Sequence, residues 1–202
     1  MTKIKFCGLS RPCEIAAVNR LKPAYIGFVF APKSRRYLTP EAAADLKRLL
    51  APGIQTVGVF VNEAPQTVAK LLEDGILDLA QLHGDEDENY LAQLRRITSK
   101  PIIQAFRISG AADIERIERS TADAVLIDSG AGTGTVFDWN AILHVKRPYF
   151  LAGGLSSDNV GNAIRLLHPY AVDVSSGIET DGCKDQIKMA AFAAAVRKEN
   201  RL

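Results

Sequence analysis

Cys7 and Asp128 are the two side chains whose positions best suit proton-transfer chemistry. Each closes a short apolar run, Lys5-Phe6-Cys7-Gly8 and Val125-Leu126-Ile127-Asp128. Such a run, stopped by a polar or glycine residue, reads as the C-terminal end of a β-strand. A thiol becomes a useful base when positive charge or oriented amides bring its pKa toward the working pH. A carboxyl held partly out of water stays protonated and can donate. Position alone forces neither role. A lone cysteine is commonly a buried packing group, and an aspartate at a strand end is commonly a turn former. Lys3 and Lys5 lie near Cys7 in the chain, but sequence assigns neither as its neighbour.

Other residues suit ligand binding. Leu151-Ala152-Gly153-Gly154-Leu155 and Asp173-Val174-Ser175-Ser176-Gly177 are dense in small residues. Small residues let backbone amides approach an anion, and a short helix start after the second stretch would add its positive end. Lys33-Ser34-Arg35-Arg36 is a charge run of the kind usually found in solvent, yet a guanidinium there suits a bidentate grip on a carboxylate. His83, in Gln81-Leu82-His83-Gly84, either lines a ligand mouth or satisfies the backbone of its own loop, the second being the commoner role. Asp85-Glu86-Asp87-Glu88 resembles a metal cluster, but acids in a first helical turn favour the helix dipole, so capping is expected. His144 falls in a helical stretch and His168 before a proline turn. Gly130-Ala131-Gly132-Thr133-Gly134 reads as a lid or close-approach loop and lacks a P-loop lysine. No metal-ligand spacing appears, and no cofactor is expected.

These residues need elements to position them. Strand-like runs cover Ile4 to Cys7, Tyr25 to Phe30, Thr56 to Val61, Leu79 to Leu82, Ile102 to Phe106, Ala124 to Ile127, Tyr149 to Ala152 and Ala171 to Val174. Helical periodicity follows at Cys13 to Leu21, Pro40 to Leu50, Pro65 to Leu72, Asp87 to Ile97, Ala111 to Ile117, Trp139 to Val145, Asp158 to Leu167 and Lys184 to Lys198. The strands are apolar throughout rather than alternating, as when both faces are buried. Eight such alternations predict a parallel (β/α)₈ barrel in a single domain, residues 1–202, at the short end of the usual length. A doubly wound open sheet is the alternative, but the first turn, Gly8-Leu9-Ser10-Arg11, is not glycine-rich. In a barrel, catalytic residues sit at the C-terminal strand ends, and loops 7 and 8 bind phosphate. Cys7 and Asp128 fall at such ends, and the two small-residue stretches fall in those loops.

Composition excludes several classes. Apolar residues make up 47% and charged residues 24%, an ordinary globular balance. The formal net charge is +2 with no basic tail, which speaks against a nucleic-acid partner. No apolar run approaches the roughly 18 residues of a membrane span, and the run after Lys3 and Lys5 is too short for a secretory signal. The cysteines Cys7, Cys13 and Cys183 have no paired spacing. They read as reduced thiols in a cytoplasmic protein.

Taken together, the chain resembles the phosphoribosylanthranilate isomerases of tryptophan biosynthesis. The resemblance spans nearly its whole length. It rests on Lys5-Phe6-Cys7-Gly8, Gly27-Phe28-Val29-Phe30 with Lys33 to Tyr37, and Val57 to Asn62. It continues through Gln81 to Gly84, Gly132-Thr133-Gly134 with Phe137-Asp138-Trp139, Gly153-Gly154-Leu155 and Val172 to Glu179. The sequence departs from the family pattern at Phe6, at Leu9-Ser10 and at Ala131, where isoleucine, Ile-Thr and glycine are common. The resemblance implies a (β/α)₈ barrel and an Amadori rearrangement of N-(5-phosphoribosyl)anthranilate to 1-(2-carboxyphenylamino)-1-deoxyribulose 5-phosphate. It implies Cys7 as general base, Asp128 as general acid and Arg36 as the holder of the anthranilate carboxylate. His83 joins the substrate site, and Gly153, Gly154, Asp173, Ser175, Ser176 and Gly177 fall in the phosphate stretches. The implied partner is a small phosphorylated substrate, with association with other tryptophan-pathway enzymes left open. Two other readings keep the same barrel: another sugar-phosphate isomerase, or a phosphate-ligand binder without catalysis. The related histidine-pathway isomerase uses paired aspartates, whereas the first strand here ends in Cys7.

Overall fold

The computed structural model describes residues 1–108, 111–128 and 139–201. Eight parallel strands close into a barrel in sequence order: β1 Lys3–Cys7, β2 Tyr25–Val29, β3 Gln55–Phe60, β4 Leu79–Leu82, β5 Ile102–Arg107, β6 Ala124–Asp128, β7 Tyr149–Ala152 and β8 Ala171–Val174. β1 pairs with both β2 and β8, which closes the ring. This is the (β/α)₈ barrel that the alternation predicts.

The alternation of side chains across each strand sorts the core into two compartments. On β1, Ile4 and Phe6 belong to the core between barrel and helices, where Phe6 meets Phe192 edge-on at 6.2 Å. Inside the barrel, Tyr25, Val57, Leu79, Ile103, Leu126 and Phe150 pack together. A smaller cluster nearer the C-terminal rim joins Cys7 to Val29 and Val59. Burial on both faces is why the strands lack polar alternation.

Outside lie α1 Pro12–Leu21, α2 Pro40–Arg48, α3 Pro65–Glu73, α4 Glu88–Arg95, α5 Ala111–Arg119, α6 Val160–Leu167 and α7 Gln186–Glu199. Proline opens α1, α2 and α3, where its missing N–H leaves no bond unmade. Asp87 accepts from Tyr90 N at the start of α4, and Glu86 accepts from the Asn62 and Gly84 amides. The acidic run is therefore a cap and a loop clasp.

One helix is shorter than its periodicity suggests. Trp139 to Val145 forms only a 3₁₀ turn, Trp139–Ile142, followed by an i→i+3 bond from Val145 N to Ile142 O. Just beyond, Arg147 donates to the carbonyls of Ile117, Ser120 and Ala122, and Pro148 leads into β7. That anchor leaves too few residues for a longer helix, and short connectors favour 3₁₀ geometry. After β8, a 3₁₀ turn at Ser176–Ile178 precedes a two-stranded antiparallel ladder, β9 Glu179–Thr180 with β10 Cys183–Lys184, so α7 begins at Gln186. The expected lid, Gly130 to Gly134, lies outside the described residues. No helix among the described residues is long and apolar enough to cross a membrane.

Candidate active site

A cavity of about 420 Å³ opens at the C-terminal ends of the strands. Cys7 from β1 and Asp128 from β6 both line it, on different sides of the ring. So do Arg36, His83, Gly153, Gly154, Asp173, Ser175, Ser176 and Gly177. Every candidate site residue from the sequence thus borders one space. Cys13 and Cys183 are exposed and lie outside it.

Cys7 is buried, and burial pushes its thiol up. Lys5 and Lys184 pull it down, while the Asp173 carboxylate pushes it up. Desolvation wins, so the ligand-free thiol is protonated at neutral pH. Two cations nevertheless stand beside it. Lys5 lies one pleat below Cys7 on the inner face of β1, fully buried, with Nζ 3.0 Å from both Asp173 oxygens. Sequence reasoning left Lys5 unassigned. Its signal was a charge two residues before Cys7 inside a buried strand, a spacing that puts both on one face.

Asp128 is half-buried, and its Oδ2 lies 3.4 Å from His83 Nε2. His83 Nδ1 is 2.7 Å from Gln81 Nε2. A Gln81 amide donating to Nδ1 leaves the neutral ring's proton on Nε2, facing Asp128. His83 therefore lines the mouth instead of satisfying its loop. Gln81 is almost fully buried, and its Oε1 has no partner among the described residues. A donor from a bound ligand would satisfy it.

Arg36 is fixed before any ligand arrives. Glu179 accepts from Nε at 2.7 Å and from Nη2 at 2.8 Å, a two-point grip that leaves Nη1 with no partner among the described residues. Lys184, also buried, donates to the same carboxylate at 2.7 Å and to the Ser175 carbonyl at 2.9 Å. Burial alone would push Glu179 up, but the bonds from Arg36 and Lys184 win and hold it at about 2. Glu179 and Lys184 escaped the sequence reading because only the β9–β10 turn folds them back over the rim.

Loops 7 and 8 meet at Gly177. A Cβ built there would lie 1.9 Å from the Leu155 carbonyl oxygen, so only glycine allows this approach. Ser175 Oγ donates to the Cys7 carbonyl at 3.1 Å, tying the loop after β8 to β1. The helix expected after Ser175 is a single 3₁₀ turn, too short to carry the dipole of a full helix. Asp173 differs from its loop neighbours: it sits within β8, held by Lys5 inside the barrel.

The family model for N-(5′-phosphoribosyl)anthranilate isomerase matches residues 4–195. A Caldanaerobacter subterraneus protein described as N-(5′-phosphoribosyl)anthranilate isomerase is 44% identical over 204 residues, covering 98% of each chain. The crystal structure of the Thermotoga maritima phosphoribosyl anthranilate isomerase matches with a TM-score of 0.89 at 33% identity, covering 100% of both chains. A phosphoribosyl anthranilate isomerase in complex with reduced 1-(o-carboxyphenylamino)-1-deoxyribulose 5-phosphate matches with a TM-score of 0.87 at 33% identity, over 98% of this chain and 100% of that one. Family model, relatives and structures agree over nearly the full length, and this chain belongs to the N-(5′-phosphoribosyl)anthranilate isomerase family.

Proposed function

We propose that Cys7 and Asp128 are the base and acid of the phosphoribosylanthranilate isomerase reaction that this chain catalyses in tryptophan biosynthesis. The observation that carries the assignment is their position on one cavity, from strands that are not neighbours in the ring, beside two small-residue loops and a fixed guanidinium. Phosphate would sit against the amides of Gly153, Gly154, Ser175, Ser176 and Gly177. The anthranilate carboxylate would take the Nη1 donors of Arg36.

The chemistry then runs in two proton transfers. Asp128 gives its proton to the ribose ring oxygen as the C1–O bond breaks, and the nitrogen lone pair forms the C1=N bond. The thiolate of Cys7 takes the proton from C2, and that electron pair forms C1=C2 while the iminium nitrogen is neutralised. The enol so formed tautomerises to the 2-ketone. General acid–base groups contribute about 10²- to 10⁴-fold each. Loss of substrate fluorescence should therefore slow by at least about 10²-fold in Cys7→Ala, with product-analogue binding retained. Turnover near wild type in that variant would remove Cys7 from the mechanism. Analogue binding without turnover by the unaltered chain would favour the non-catalytic binder instead. A cytoplasmic location, a chain folded as a single domain and association with other enzymes of the pathway belong to the same reading.

A further inference from the structure

A fully buried lysine inside the barrel is not explained by the fold. Interior positions of such barrels are usually filled by bulky apolar residues, and the cluster of Tyr25, Val57, Leu79, Leu126 and Phe150 inside this barrel is aliphatic or aromatic. A buried ion pair adds little to stability compared with apolar residues of similar volume. Lys5 and Asp173 nevertheless form one, and Asp173 lines the cavity.

The geometry points to Lys5 as a positioning residue for the base: its ammonium, anchored by Asp173, is the counter-ion of the Cys7 thiolate. Two of its three donors face the Asp173 oxygens at 3.0 Å, leaving one for another partner. The bare Cα of Gly27 marks where that partner lies. A Cβ there would sit 2.8 Å from Cys7 Sγ and 3.3 Å from Lys5 Nζ, so thiol and ammonium converge over this glycine from the same face of β1. Lys5 stays charged because Asp173 and Cys7 outweigh the burial that would otherwise push it down.

The other groups facing Cys7 do not substitute for Lys5. Lys184 is engaged by Glu179 and Ser175, and Arg36 by Glu179. Asp173 opposes the thiolate, Val29 and Val59 are apolar, and His83 and Asp128 approach from β4 and β6. Formation of the thiolate releases the thiol proton to solvent, and Lys5 keeps its own throughout.

The inference rests on Cys7 as the base, but its test reads the thiol without turnover. In a Cys13→Ser/Cys183→Ser background, thiolate absorbance is titrated against pH, with a Cys7→Ser protein subtracted. Lys5→Met should raise the Cys7 inflection by about one to three pH units. Its kcat should fall at neutral pH while KM holds, because Lys5 does not touch the ligand, and alkaline pH should restore turnover. The reciprocal measurement needs no change at Lys5. In Cys7→Ser, the Lys5 Nζ resonance should titrate at lower pH than in the wild-type chain, because coupling between two sites is mutual. An unmoved Cys7 inflection in folded Lys5→Met, or an unmoved Lys5 titration in Cys7→Ser, overturns the proposal. A moved inflection with full turnover in Cys7→Ala would instead reject Cys7 as the base and leave the counter-ion pairing standing.

Discussion

The two sides of the cavity solve opposite problems. On the β1–β8 side, Cys7 sits in a dry wall with Lys5, Lys184 and Asp173 around it, and its carbonyl is tied to Ser175. On the β4–β6 side, Asp128 is half-exposed beside a histidine whose other nitrogen meets Gln81. A thiol that serves as a base must form its thiolate, and in a dry site fixed positive charge or oriented amides stabilise that anion. A carboxyl that serves as an acid must be reprotonated each cycle, which access to water allows. In the proposed assignment the acid–base pair is unequal by construction: Cys7 is shut away from water among buried charges, and Asp128 is partly open to it.

This contrast can be broken from either side. The largest expected effect is at Asp128, the proposed acid. Asp128→Asn removes the proton donor while keeping shape and should lower kcat by about 10²- to 10⁴-fold, read from the rate of substrate fluorescence loss. A loss under tenfold would move the acid elsewhere. Next, Gly177→Ala puts a methyl into the Leu155 carbonyl and must spread loops 7 and 8. We expect a stability loss of about 1–3 kcal/mol, checked by urea unfolding, and weaker binding of the phosphorylated product.

A smaller effect separates grip from chemistry. Arg36→Lys keeps the charge but loses the two-point bond to Glu179. KM should rise about tenfold, or about 1.4 kcal/mol, with kcat nearly unchanged. A fall in kcat alone would show that Arg36 acts on the reacting centre. The last test concerns pH. Glu179 is held at about 2, below its ordinary value of 4.5. Its contribution to stability is therefore complete above about 4.5 and drains away as pH falls toward 2. The Glu179→Gln variant should show a flatter loss of unfolding free energy over that window. Equal slopes in both proteins would mean that the clasp with Arg36 and Lys184 is absent in solution.

Much of the barrel was legible because buried parallel strands write themselves as continuous apolar runs bounded by turn residues. Cys7, Asp128 and loops 7 and 8 were legible for a related reason: each lies at the end of such a run, where the fold puts its chemistry. Trp139 to Val145 was misread because its apolar spacing fits a helix, while the Arg147 anchor that shortens it comes from carbonyls remote in sequence. The residues alone pointed His83 toward its loop and only the resemblance put it in the site, because nothing local reveals that Asp128, from another strand, stands opposite.

The amino-acid sequence alone was enough for the count of strands, their two-sided burial, the rim positions of Asp128 and Cys7, and the glycines that let loops come close. These are properties of local pattern, and a pattern of period two or 3.6 needs no partner to be read. Only the tertiary structure decided which charges face which. Lys5 meets Asp173, and Arg36 and Lys184 share Glu179, across sequence separations that barrel closure and the short β9–β10 ladder bring to contact. Coulomb energies depend on distance and burial, and neither exists until the ring of strands has closed.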